Sequence, residues 1–187
     1  MGREIMSLDD RATELVGRLQ AAGQNIVFAE SCTAGLLAAT MGRIPGVSRV
    51  FAGSMVVYQV ATKQTWLTIG EDVLRDPGPV SKIVSELMAE GGLVQTPHAT
   101  NAASVTGHLG PDAPPGLDGI AWSTVAVRDD NNEIRRHSVR LQLSPAITSL
   151  PADRSDGLAI RHARQQAAAQ QVLEFCVRIL SAACGFS

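Results

Sequence analysis

Apolar residues fall at helical spacing over residues 8–22, LDDRATELVGRLQAA, where Leu8, Ala12, Leu15, Val16 and Leu19 share one face. Ser7, Asp9 and Asp10 place hydroxyl and acidic groups at the start of this helix, and Gly23 ends it. Residues 25–29, NIVFA, predict a short buried strand. Residues 32–42, CTAGLLAATMG, predict a helix rich in small residues, and Pro45-Gly46 marks a turn. Residues 49–58, RVFAGSMVVY, predict a long strand, in which Gly53 implies a bend or a close backbone approach. Residues 59–68 allow a helix or an irregular segment. Asp76-Pro77-Gly78-Pro79 is a loop, and residues 81–94 predict a helix capped by Ser81 or the residue before it. A further apolar run, 99–105, ends at Thr106-Gly107.

The second half of the chain has a different rhythm. Residues 108–119 are rich in proline and glycine and predict a loop. Residues 119–127 and 133–143 read as two strands whose short polar link, 128–132, argues for an antiparallel hairpin. A loop over 144–155 leads to a long helix at about 156–183 with an alanine-rich middle. Helices alternate with strands first, and a hairpin and a helix close the chain. The pattern predicts an α/β fold, a three-layer α/β/α domain with a mixed sheet. A ligand crevice then lies beyond the carboxyl ends of the strands. The junction after Ala29, the strand end at Tyr58 and the loop after Val105 meet there.

The 187 residues suit one domain over 1–187 with a core of about 8–182. With 45% hydrophobic and 18% charged residues and a mean hydropathy of +0.08, the chain is not of the disordered class. Aromatic residues are only 4%, so Ala, Val, Leu and Ile must fill the core. The net charge of −2 argues against a broad nucleic-acid surface and leaves room for a local basic pocket. Cys32, Cys176 and Cys184 cannot all pair within the chain, and no Cys/His set has zinc spacing. No segment reads as a secretory signal or a membrane span. A cytoplasmic location without membrane or nucleic-acid partners is expected.

Three places carry candidate chemistry. Ser31 sits where a strand runs into a helix. Such a serine usually caps the helix through its Oγ. Alternatively it is a nucleophile beside the N–H groups of Cys32 and Thr33, which would stabilise an oxyanion. Cys32 is a rival nucleophile, or simply a small buried apolar group. Tyr58, the only tyrosine, and Lys63 supply a phenol and an amine that together can take a serine proton when desolvation or a neighbouring cation lowers their pKa values. Otherwise they are a half-buried tyrosine and a solvated lysine. The turn Thr106-Gly107-His108-Leu109-Gly110-Pro111 exposes N–H groups that hold a phosphate or carboxylate, or it is a structural turn. Arg154 and Arg161 flank the start of the last helix, within reach of an anion.

Five ordered segments then resemble one family: AESCTAGLLAA (29–39), IPGVSRVFAGSMVVY (44–58) with Lys63, GPVS (78–81), VTGHLGP (105–111) and Ile160-Arg161. The chain resembles the CinA C-terminal domain family, whose active members are nicotinamide-nucleotide amidases. The resemblance implies hydrolysis of the carboxamide of nicotinamide mononucleotide to nicotinic acid mononucleotide and ammonia, without a metal or cofactor. It implies a homodimer in the stand-alone form. Ser31 matches the family's nucleophile, and Tyr58 and Lys63 match the residues that activate it. Cys32, Thr33, Gly35, Thr106, Gly107, His108 and Gly110 match the lining of the substrate site, and Arg161 an arginine near the phosphate. Three positions depart from the pattern. Ala34 replaces a glycine, and its methyl is expected to narrow the site. Val60 replaces an asparagine that would orient the substrate or the lysine. His108 is bulkier than the usual residue and is expected to occupy part of the pocket. These departures motivate two alternatives: a catalytically diverged nucleotide-binding or interaction module, or an amidase for another small amide.

Overall fold

The computed structural model describes residues 6–110, 113–143 and 157–183. Helix α1, Leu8–Ala22, begins at Ser7, whose side chain accepts from the Asp10 N–H while the Asp10 carboxylate accepts from the Ser7 N–H. It stops at Gly23 in the left-handed conformation that glycine adopts without strain (φ 62°). Strand β1, Ile26–Glu30, is buried throughout. Helix α2 is shorter than its sequence pattern suggests, Leu36–Met41, with residues 31–35 forming turns before it. After a 3₁₀ turn at Val47–Arg49 comes β2, Phe51–Val56, which ends two residues before Tyr58. Helix α3, Val60–Leu67, settles the segment whose pattern was ambiguous. A short helix, α4 (Glu71–Arg75), has no periodic signature in the sequence. Helix α5, Lys82–Gln95, is capped by the Ser81 side chain, which accepts from the Val84 N–H. Strands β3 (Asn101–Gly107), β4 (Ile120–Arg128) and β5 (Ile134–Gln142) precede α6, Gly157–Ala183. The segment 144–155, with Arg154, and Cys184 lie outside the described residues.

The strands form one sheet in the order β2-β1-β3-β4-β5. β1 is parallel to both β2 and β3, and β4 and β5 add antiparallel as the expected hairpin. Period-two alternation splits the core between the two faces. Phe28, Ala103, Val105 and Val125 pack with Leu15, Leu37 and Leu173 under α1, α2 and α6. Ala29, Val27 and Ala102 face the other way, against Met88, Ala89 and Leu93 of α5 and Leu67 of α3. The architecture is a single α/β domain with a five-stranded mixed sheet flanked by helices.

Gly53 serves a β-bulge, as its position in the strand implied. Ile26 pairs with Phe51 but Val27 pairs with Gly53, so β2 carries one extra residue at Ala52. Gly53 takes φ 145°, which L side chains rarely adopt.

The α5 face of the sheet holds a buried run of hydroxyls. Ser85 Oγ lies 2.9 Å from both Ser104 Oγ and Thr124 Oγ1, Thr124 Oγ1 lies 3.0 Å from Ser138 Oγ, and Ser138 donates to Glu86 at 2.8 Å. Removing the Ser85 hydroxyl takes one hydrogen bond from each of two buried hydroxyls, while Ser104 keeps the Ser85 carbonyl and Thr124 keeps Ser138. Ser85→Ala is expected to cost about 1 kcal/mol, seen as a lower urea midpoint at unchanged slope.

Candidate active site

At the carboxyl end of the parallel strands, the connection from β1 runs to β2 on one side and that from β3 runs to β4 on the other. This is the point where α/β sheets open a crevice. A cavity of about 140 Å³ opens there, lined by Ser31, Cys32, Tyr58, Val60, Lys63, Pro79, Val80, Thr106 and Gly107. All three segments expected at the crevice contribute to it.

Ser31 follows β1 directly, and its N–H donates to Val105 O at 3.0 Å, which ties it to β3. It does not cap a helix, because α2 starts five residues later with Gly35 at its N-cap. Its Oγ instead lies 2.8 Å from Lys63 Nζ. Lys63 comes from the first turn of α3, on the opposite side of the sheet from α2, and is only 2% exposed. Its Nζ also donates to Val57 O at 2.8 Å and Tyr58 O at 3.4 Å. A neutral amine has two hydrogens and one lone pair. Two carbonyls and the Ser31 hydroxyl meet that set, and they equally meet the three N–H groups of an ammonium that donates to Ser31 Oγ. No carboxylate pairs with Lys63 among the described residues. Burial pushes its amine down to about 8.

Cys32 lines the cavity but is buried, and desolvation pushes its thiol up to about 12, so it presents a thiol and not a thiolate. The Cys32 and Thr33 N–H groups have no hydrogen-bond acceptor among the described residues. The Cys32 and Thr33 carbonyls accept from the Gln165 side chain of α6, at 3.4 and 2.9 Å. Because N–H and C=O of a trans peptide point in opposite directions, the Thr33 N–H points away from α6.

The remaining positions divide. Thr106 and Gly107 line the cavity, and the Thr106 hydroxyl donates to Pro79 O at 2.8 Å. Gly107 has no room for a side chain, since a Cβ there would stand 2.5 Å from that of Ala121. Tyr58 lines the cavity with its ring half-exposed, but its hydroxyl accepts from Arg161, not from Ser31. Arg161 also donates to Gly110 O at 2.9 Å, so it joins α6, the 108–110 turn and Tyr58 at the cavity mouth. Gly110 is packed against Arg164 and Asp118, which form a two-pronged ion pair at 2.7 Å. Thr33 and Gly35 do not line the cavity. Both donate to the Glu30 carboxylate, at 2.8 and 3.0 Å.

Two expectations about departures from the family pattern need correction. Ala34 is exposed and does not line the cavity, so its methyl does not narrow it. Its cost is in the backbone, at φ 51°, in the left-handed region. His108 is half-buried outside the cavity lining, with its backbone bonded to Ile120 O and Gly119 N. Burial lowers its pKa against an opposing effect of Asp118. Val60 does line the cavity and adds an apolar wall.

The sequence reading missed Glu30 and Gln165. Glu30 is fully buried, and an acidic residue closing an apolar strand was the one available signal. Among the described residues no cluster of His, Cys, Asp or Glu could hold a metal ion, and no helix is long and apolar enough to cross a membrane.

Comparison with known proteins gives consistent results. Residues 8–145 match the CinA C-terminal domain. A CinA-like protein of Myxococcus xanthus (strain DK1622) is 38% identical over 113 residues, covering 59% of this chain and 27% of its own length. A CinA-like protein of Mycobacterium sp. (strain JLS) is 34% identical over 149 residues, covering 80% of this chain and 32% of its own. The chain thus spans about a third or less of these curated relatives. Among solved structures, a competence-damaged protein (CinA) superfamily protein from Enterobacter cloacae aligns with TM-score 0.80 at 18% identity, over 96% of both chains. The competence/damage inducible protein CihA from Agrobacterium tumefaciens aligns with TM-score 0.78 at 24% identity, over 97% of this chain and 99% of its own. At such identities the structural likeness speaks for the fold.

Proposed function

We propose that this chain, which belongs to the CinA C-terminal domain family, is a serine amidohydrolase acting on the carboxamide of nicotinamide mononucleotide. The observation that carries the reading is the buried contact of 2.8 Å between Lys63 Nζ and Ser31 Oγ. A serine is a weak nucleophile until a base takes its proton, and a desolvated lysine is such a base. Family membership supports the choice of amide.

In the proposed reaction Ser31 Oγ attacks the amide carbon as its proton passes to Lys63 Nζ. The developing oxyanion faces the N–H of Cys32, the residue after the serine at the cavity wall. The Lys63 ammonium protonates the amide nitrogen, which leaves as ammonia, and returns to the neutral amine. It then takes a proton from water as that water attacks the acyl-serine, and passes it to Ser31 Oγ as nicotinic acid mononucleotide leaves. The cavity is smaller than the roughly 300–1,000 Å³ of a whole-ligand pocket. It suits the carboxamide end alone, with the rest of the nucleotide extending past Tyr58 toward Arg161. Tyr58 is placed to orient substrate and Arg161, and Arg161 to meet the phosphate. A homodimer is part of the same proposal.

Ammonia release from nicotinamide mononucleotide tests the reading. Below the Lys63 pKa of about 8, kcat/KM is expected to rise about tenfold per pH unit and to level off above it, because only the neutral amine accepts the serine proton. Release no faster than without enzyme would overturn the proposal. Stabilisation by the nucleotide without turnover would favour a diverged binding module, for which Val60 at the cavity wall is the supporting observation.

A further inference from the structure

We propose that Glu30 is the positioning residue of the nucleophile: its buried carboxylate keeps Ser31 from becoming a helix cap. The proposal rests on the reading of Ser31 as nucleophile. Glu30 Oε2 accepts from Thr33 Oγ1 at 2.8 Å, from the Gly35 N–H at 3.0 Å and from the Leu37 N–H at 3.1 Å. Oε1 accepts from the Ala38 N–H at 3.0 Å and from Ser54 Oγ of β2 at 2.8 Å. The carboxylate is fully buried and every contact is a donor.

The three N–H groups explain the purpose. If the helix began at Ser31, as its sequence suggests, the Gly35, Leu37 and Ala38 N–H groups would bond to Ser31 O, Thr33 O and Ala34 O. Ser31 Oγ would then accept from the Thr33 or Ala34 N–H as an ordinary cap. Glu30 takes the donors that would build this first turn. The chain instead turns through two consecutive left-handed residues, Ala34 (φ 51°) and Gly35 (φ 95°), and α2 starts at Leu36. A non-glycine residue persists there only where its surroundings hold it. The outcome is a Ser31 hydroxyl available to Lys63 and unpartnered N–H groups at Cys32 and Thr33. Glu30 touches no reacting atom and acts through the turn.

Glu30→Gln keeps the volume but turns an NH₂ toward at least one backbone N–H whichever way the amide lies. The test is the second-order rate constant for labelling of Ser31 by a fluorophosphonate, which forms a Ser31 Oγ–P bond, expels fluoride and leaves the serine proton on Lys63. The rate constant reports each folded molecule, whereas lost fold lowers only the labelled fraction. Glu30→Gln is expected to lower it by 10- to 100-fold, with the pH midpoint unmoved because Lys63 is intact. Ser54→Ala, which removes one contact from outside the turn, is expected to lower it by more than twofold. It decides the matter if Glu30→Gln does not fold. A rate constant within twofold of wild type in the deciding variant would overturn the proposal. Labelling does not depend on which amide is the substrate, so absence of nicotinamide mononucleotide turnover leaves the test intact. Failure of the wild type to label at Ser31 would overturn both this proposal and the nucleophile reading.

Discussion

Ser31→Ala is expected to reduce ammonia release from nicotinamide mononucleotide by about ten-thousandfold or more. The substitution removes the proposed attacking atom. Ser31 Oγ is the hydroxyl that Lys63 Nζ touches at 2.8 Å. Cys32 cannot take over, because its thiol is pushed up to about 12 and carries no thiolate near neutrality. Ser31 is small and contributes little apolar contact, so the melting temperature should stay close to wild type while turnover disappears. Adding Lys63→Met to Ser31→Ala should cost little more, since the two residues act as one unit. Substantial ammonia release by Ser31→Ala at wild-type KM would show that the serine is not the nucleophile.

Lys63→Met separates activity from stability. Activity should fall about as far as in Ser31→Ala, because the base is gone. Stability should rise. The amine titrates at about 8 in the fold against 10.5 for an ordinary lysine. Below about 8 both the folded and unfolded chains carry the proton, and the fold holds a desolvated ammonium. Between about 8 and 10.5 the unfolded chain binds the proton more than the fold does, so stability rises with pH across that window. The penalty at neutral pH is about 3 kcal/mol. Methionine fills a similar volume without charge but leaves the Val57 and Tyr58 carbonyls without this donor, which returns part of the gain. A net increase of about 1–2 kcal/mol is expected, seen as a higher urea midpoint at pH 7. The rise in stability with pH above 8 should be weaker in the variant. A variant markedly less stable than wild type would mean that Lys63 is held by its contacts and not against its desolvation.

Much of the fold could be read from local pattern. Helix α1 has five apolar positions on one face with a polar cap and a terminal glycine, and its ends fall at Leu8 and Ala22. The β4–β5 hairpin was visible because alternation and a short polar link agree. The start of α2 was not, because a side chain from the preceding strand decides it. An acidic residue reads as surface unless its partners are known, and those of Glu30 come from both the turn and β2. The burial of Lys63 was not legible locally, and a solvated lysine stayed open beside its reading as the base, because α3 has no strongly apolar face to reveal that it packs inward. Tyr58 and Arg161 are 103 residues apart, and no local pattern could tell that the phenol turns to the arginine and not to the serine. Helix α4, at five residues, is too short to show a period.

The extra residue in β2 makes the site depend on a count. With Ala52 present, Ser54 pairs with Phe28 and shares its side of the sheet with Glu30, while Met55 pairs with Ala29 and faces α5. Loss of one residue from 51–53 would put β2 out of phase from there on. Met55 would then face the carboxylate and Ser54 the apolar layer. A change of letter at Ala52 is a local matter, but a change of length there rewires the floor beneath the serine. Insertions and deletions are therefore expected to be tolerated better in the exposed link between β4 and β5 than in this edge strand, although neither segment lines the cavity.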